Sequence, residues 1–424
     1  MSAQVVGGAG EGVWGARTPG SVPTRHGADL VASRAMAARL RLMIKADPEP
    51  SEQDWAELGQ ALWRGDPLAD ELAGWLIDQG MGAAWAMVEQ ALSHGVDALP
   101  DAPLALRSFI HATRVLPPWL DERKLARGAR FLQSTGFHGM MVLRDAGLMA
   151  GYQASAINQT LVMTGALHSG THRRVAETGT WWLACTELGG MGSHAEGFKL
   201  TLKVRLMHAV VRLRLSRQPQ WDMGKLGLPI NQVDMQATYL AFSVVQLLAL
   251  RMTGVLVSQR ESDGVMHLWR YIGWLMGVED QLMCEDEGQG RVLFYRNLIS
   301  QAPADDTSVV LGRALMDEPL FRRYRWAAGL RGRFNRARHL SLVRWFIGPQ
   351  GMLNLGLPPT WPWYPLLLIG PLALRSGLLR VLPWLGSTWR VMARRQQTYY
   401  QRALAAHDQP RPHLAAVSGK QARL

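Results

Sequence analysis

The stretch Glu196-Gly-Phe-Lys-Leu-Thr-Leu-Lys-Val-Arg-Leu-Met-His-Ala-Val-Val-Arg-Leu-Arg-Leu-Ser-Arg217 decides the reading of this chain. Wound as a helix at about 100° per residue, it gathers Lys199, Lys203, Arg214 and Arg217 on one side. His208 falls roughly opposite, beside Val204, Val211 and Leu215, with Arg205 and Arg212 one turn before and after it. The imidazole is expected to point inward with two guanidinium groups near it.

The same three- and four-residue apolar spacing recurs from Leu30 to Gln281, and alternating β-branched runs hardly appear, so an all-α helical bundle is expected. Asp29 caps a first helix to Lys45, followed by Glu52–Leu62 and Pro67–Gln79. Gly80-Met81-Gly82 breaks the pattern before Ala84–Ser93, Ala102–Thr113 and Asp121–Ser134. The central helices are read as His138–Ala154, His172–Leu188, Glu196–Arg217, Gln232–Met252 and Ser262–Val278. An acid-rich loop, Glu279–Gly290, precedes Arg291–Gln301. Four spans follow: a mobile start (1–28), a helical extension (29–102), a main domain (103–348), and a basic, Trp/Pro-rich region (349–424).

With 424 residues, nearly half of them apolar, the chain can bury a sizeable core. Cys185 and Cys284 are its two cysteines, too few for a disulfide framework or a four-cysteine metal site. Met1–Arg17 carries no signal-peptide pattern, so a cytoplasmic location is expected, peripheral on the membrane's cytoplasmic face. The net charge of +12 is unevenly spread: from Phe321 onward there are 17 Lys/Arg and one acid, Asp408. Within that region Trp361–Leu374 is an aromatic-led apolar run short of the ~20 residues that span a bilayer. A shallow contact with an anionic membrane is expected, with Trp361, Trp363 and Tyr364 at headgroup depth and Arg375, Arg380, Arg390, Arg394 and Arg395 meeting lipid; the alternative is that the run packs on the main domain and the arginines form a solvated surface, and nucleic acid is not the expected partner.

A neutral imidazole in an apolar wall suits a proximal haem ligand, and Arg205 and Arg212 are candidates to take the anionic propionates. The alternative for His208 is a core histidine satisfied by a backbone carbonyl. Upstream, Arg174 and Thr178 lie four apart on one helix face, with Glu177 beside it; an arginine and a hydroxyl there could hydrogen-bond and orient oxygen. Asn231, Gln232 and Asp234 follow Pro229 and read as a helix cap, while His267 and Trp269 read as packing residues.

The succession Arg174-x-x-x-Thr178, Arg205-Leu-Met-His208-Ala-x-Val-Arg212, Leu228-Pro-Ile-Asn231-Gln-x-Asp234 and His267-x-Trp269-Arg-x-x-Gly273 resembles the haem oxygenase superfamily of bacterial latex-clearing rubber oxygenases and the fungal MpaB farnesyl-chain oxygenase. The similarity runs from about Pro103 to Gly348, with an upstream element Gly65-Asp66-Pro67-Leu68-Ala69-Asp70. The resemblance implies a globin-like helical core, haem b held by His208, a distal side with Arg174 and Thr178, and O2-dependent attack on a hydrophobic unsaturated substrate such as a lipid or isoprenoid. It also exposes two departures. Where rubber oxygenases have a lysine just before the distal threonine this chain has Glu177, and where they have a glutamate proposed as base it has Asn158, an amide that cannot take a proton. The other readings are a haem-binding sensor or carrier without turnover at the membrane surface, and a helical scaffold with no cofactor.

Overall fold

The computed structural model describes residues 21–165, 171–324 and 326–405; most of the span 1–28 expected to be mobile lies outside them. Among the described residues the protein is built of helices and no strand forms, as expected. Two compact units interleave along the chain and cut across the consecutive spans read from the sequence. The first comprises residues 21–122, Gly189–Leu240 and Met266–Ala302; the second comprises Arg123–Leu188, Ala241–Val265 and 303–405.

In the first unit the histidine helix, Glu196–Ser216, packs along Pro67–Gln79, which in turn packs on Leu104–Arg114. Asp66 caps Pro67–Gln79 by accepting from the Ala69 N–H, and Pro67 sits at its first position, where its missing N–H costs nothing. Asn231 caps Gln232–Leu240 as expected, its Oδ1 accepting from the N–H groups of Val233 and Asp234. The acid-rich segment is more ordered than its composition suggests. Asp280–Leu282 forms a 3₁₀ turn, and Asp286 caps a helix that starts at Glu287, before the expected Arg291. His267 is a brace, as read: its Nε2 accepts from the Asp121 N–H at 2.9 Å and its ring meets Trp119 edge-on.

The second unit contains two departures from straight helices. The expected helix His138–Ala154 divides into Gly136–Val142, a π-helical turn Leu143–Leu148, and Met149–Gly151. The expected helix Gln232–Met252 likewise passes through a π turn at Ala241–Val245, where the chain leaves the first unit. The two wide turns pack on each other, and a π turn shifts the side-chain register that an unbroken 3.6-residue period would give. Glycine permits a close helix crossing here: a Cβ on Gly128 would stand 2.3 Å from the Gly264 carbonyl oxygen, a backbone atom with little room to retreat.

The π turn at Leu143–Leu148 carries the centre of a buried ionic network. Arg144 donates to Asp145 at 2.7 Å and to Glu318 at 3.2 Å, Arg322 grips Glu318 from the other side, and His339 Nδ1 lies 2.7 Å from Asp145 Oδ2. Burial pushes the Asp145 carboxyl up to about 6 despite Arg144, and burial followed by the nearby arginines holds His339 well below the usual imidazole range. A carboxyl raised on folding stabilises the native state fully below its unfolded value, and that contribution is lost as pH rises through about 6. Asp145 should therefore contribute a falling slope of about 1.4 kcal/mol per pH unit between roughly pH 4 and 6, opposed by the rising slope of the depressed His339, and Asp145→Asn should make stability climb more steeply with pH across that window. Urea midpoints of both proteins across that window check it, and an unchanged slope in the variant would contradict the assignment.

Candidate functional site

His208 sits on the histidine helix, half-buried, at the edge between two faces. On one side Thr201, Arg205 and Arg212 are buried; on the other Val204 and Val211 are half-buried and Met207 is 40% exposed. The imidazole thus borders a partly uncovered aliphatic stripe. The helix is less one-sided than its charges suggest: Val210, on the expected solvated side, is fully buried, and Lys203 reaches Glu89 at 2.8 Å.

The flanking arginines have a different place from the one expected. Arg205 holds Asp66 bidentately at 2.6 and 2.8 Å and also donates to the Leu275 carbonyl. Arg212 donates through Nε to Asp70 at 2.8 Å and through Nη1 to the Ile230 carbonyl at 2.5 Å. Both guanidinium groups are buried, and a buried cation needs a carboxylate partner to offset its desolvation. Their charge is therefore matched inside the first unit by Asp66 and Asp70 rather than left for propionates. Two glycines leave space for these pairs: a Cβ on Gly277 would stand 2.4 Å from Asp66 Oδ2, and one on Gly65 would stand 2.9 Å from both Arg212 Nε and Asp70 Oδ2. Ile230 adopts φ 49°, a left-handed conformation unfavourable for a β-branched residue, and this turn presents the carbonyl that Arg212 takes. The motifs Gly65–Asp70, Arg205–Arg212 and Leu228–Asp234 are thus parts of one clamp that fixes the rotation of the histidine helix from both sides of His208.

In the second unit Arg174 and Thr178 share an exposed face of the helix Thr171–Cys185, as their spacing predicts. Arg174 keeps accessible surface, yet enough protein surrounds it that burial holds its guanidinium below the ordinary range, opposed by the nearby Tyr152 phenol and Glu177. Glu177 turns away into an exposed pair with Arg173 at 2.7 Å. Asn158 is 1% exposed; its amide donates to the Tyr152 carbonyl and to Ser308 Oγ, which makes it a tie between helices rather than a group on an open wall.

The helix carrying Arg174 is held from behind by the C-terminal helix Pro383–Ala405, a support the sequence did not suggest. Gln401 donates to the Ala176 carbonyl and to Thr180 Oγ1, and Gly179 leaves room for that amide, since a Cβ there would stand 2.1 Å from Gln401 Oε1. Gly179, three residues before the buried Trp182, was the one visible sign of a close approach on that face.

The chain belongs to the family described as ER-bound oxygenase mpaB/B'/Rubber oxygenase, catalytic domain, which matches residues 135–380. A rubber oxygenase from Streptomyces sp. (strain K30) is 27% identical over 227 residues, 51% of this chain and 54% of that protein, so the chain spans about half the length of the curated relative it matches. A solved structure described as latex clearing protein in the closed state shares the fold, with a TM-score of 0.59 and 20% identity over 85% of this chain and 89% of that one.

Proposed function

We propose that this protein is a haem-b-dependent oxygenase that uses O2 to attack a hydrophobic unsaturated substrate, with His208 as the iron ligand. The observation that carries the proposal is the family match over residues 135–380 together with a half-buried imidazole bordering the stripe of Val204, Met207 and Val211. A single histidine suits an iron already carried by a macrocycle, which supplies most of the iron's ligands itself. The aliphatic stripe fits the flat apolar face of that ligand. When bound, haem supplies the redox chemistry with O2 that amino-acid side chains lack.

This chain's residues supply the rest. The clamp of Asp66 and Asp70 on Arg205 and Arg212 holds the histidine helix in one rotation. Arg174 and Thr178, on an exposed helix face of the second unit, offer N–H and O–H donors of the kind that hydrogen-bond oxygen. Neither Glu177, drawn to Arg173, nor Asn158, a buried amide, is assigned as a proton acceptor.

The test is the visible spectrum of protein expressed with ample haem, followed by O2 uptake with squalene as a probe isoprenoid. A Soret band with squalene-dependent O2 consumption is expected. A Soret band with reversible diatomic binding and no uptake across unsaturated lipids and isoprenoids would replace the enzyme with a haem-binding sensor or carrier. Failure to take up haem on reconstitution would sink both readings.

A further inference from the structure

The region sequence analysis picked for shallow lipid contact has a different face outward. The apolar run extends through Val381 as the helix Trp363–Val381, 19 residues that pass for a membrane span by length and composition. One flank is packed: Pro365, Leu372 and Ser376 are buried, and the helix contacts its neighbours Ala328–Asn354 and Pro383–Ala405. The groups expected to face lipid are partly engaged there. Trp363 packs tilted against Phe334 and edge-on to Tyr364, Arg375 is drawn over Trp389, Arg380 reaches Glu261, and Arg394 pairs with Glu187.

The opposite flank is a continuous exposed stripe. Leu366, Leu367, Pro371, Leu374, Leu378 and Val381 recur every three or four residues, with Leu367 64% and Val381 77% exposed. Trp361 and Trp384, each more than two-thirds exposed, stand just beyond its two ends. Such a stripe along a helix about 28 Å long is more apolar surface than a soluble monomer ordinarily leaves open. Its surroundings decide the occupant. From Phe321 onward 17 Lys/Arg face a single acid, and Arg390, Arg395 and Arg402 on the next helix line a surface groove with no carboxylate paired to them among the described residues. A second copy would bring two strongly basic regions together, whereas an anionic bilayer offers both hydrocarbon and negative charge.

We propose that the helix Trp363–Val381 lies in the plane of an anionic lipid surface, its Leu366–Val381 stripe at the acyl boundary and the arginines of Pro383–Ala405 attracted to lipid phosphates. It lies flat because its other flank is packed on the second unit and Arg375 and Arg380 occupy that side or its edge.

Vesicle co-sedimentation of the full chain tests it, comparing phosphatidylcholine alone with phosphatidylcholine containing about a third phosphatidylserine. Binding to the anionic vesicles, weakened by salt, is expected. The exposed pair Leu367→Asp with Leu374→Asp should lower the partition coefficient about tenfold or more, with helicity unchanged. Arg395→Gln with Arg402→Gln, a milder surface change, should lower binding to anionic vesicles and leave phosphatidylcholine binding unaltered. No binding to anionic vesicles, equal binding to both lipids, or leucine variants that bind like the parent would each overturn it. So would a parent that is a dimer in solution, ignores vesicles and becomes monomeric on the leucine substitutions.

Discussion

On the proposed function, His208→Ala is expected to abolish haem binding while leaving the helical fold intact. The side chain is half-buried at the border of the Val204–Val211 stripe, so shortening it opens little of the core, and the two arginine–aspartate pairs that flank it are untouched. Loss of the proposed iron-binding residue should weaken haem retention by at least about a hundredfold, beyond the usual effect of a residue that merely supports a ligand. The measurement pairs the Soret band with far-ultraviolet circular dichroism, and added imidazole should restore the band by filling the space the side chain left. Met207→Ala is the control, since Met207 neighbours His208 on the exposed side and offers no nitrogen donor. A parent-like Soret band in His208→Ala would remove the histidine from the iron.

Asp70→Asn is expected to cost about 3–5 kcal/mol of stability, because it leaves the buried Arg212 guanidinium without a countercharge. Burial raises the Asp70 carboxyl, with Arg212 opposing, so the pair forms at the expense of desolvating both partners. Replacing both partners together, Asp70→Leu with Arg212→Met, should recover much of the loss, since hydrophobic substitution of a whole buried pair is far less costly than orphaning one charge. Urea unfolding of the three variants completes the comparison. Because the clamp sets the rotation of the histidine helix, the double variant should remain folded yet show a displaced Soret maximum. A folded double variant with an unshifted band would show that the Asp70–Arg212 pair does not orient His208.

The histidine helix was legible because its pattern is local. Twenty-odd residues without a breaker, with charges gathered on one side, prescribe a helix wherever it packs, and the all-α reading followed from the same spacing elsewhere. The caps at Asp29 and Asn231 were legible for a similar reason, since a side chain that satisfies an N–H two or three residues onward needs no distant partner. The π turns were not, because a single wide turn shifts the register by only about one residue inside a mostly apolar segment, and its place is set by what packs against it.

The site shows the same division. Sequence by itself determined that His208, Arg205 and Arg212 share one helix, that Arg174 and Thr178 share another, and that the C-terminal quarter carries the positive charge, all of them consequences of spacing and composition. Only the tertiary structure decided that the two arginines belong to Asp66 and Asp70, about 140 residues away, and that Gln401 supports the helix of Arg174. It also decided which flank of Trp363–Val381 is left open. The physical reason is burial: a charge or an apolar face has the same chemistry in any context, and its role is settled by whichever group the fold brings to cover it.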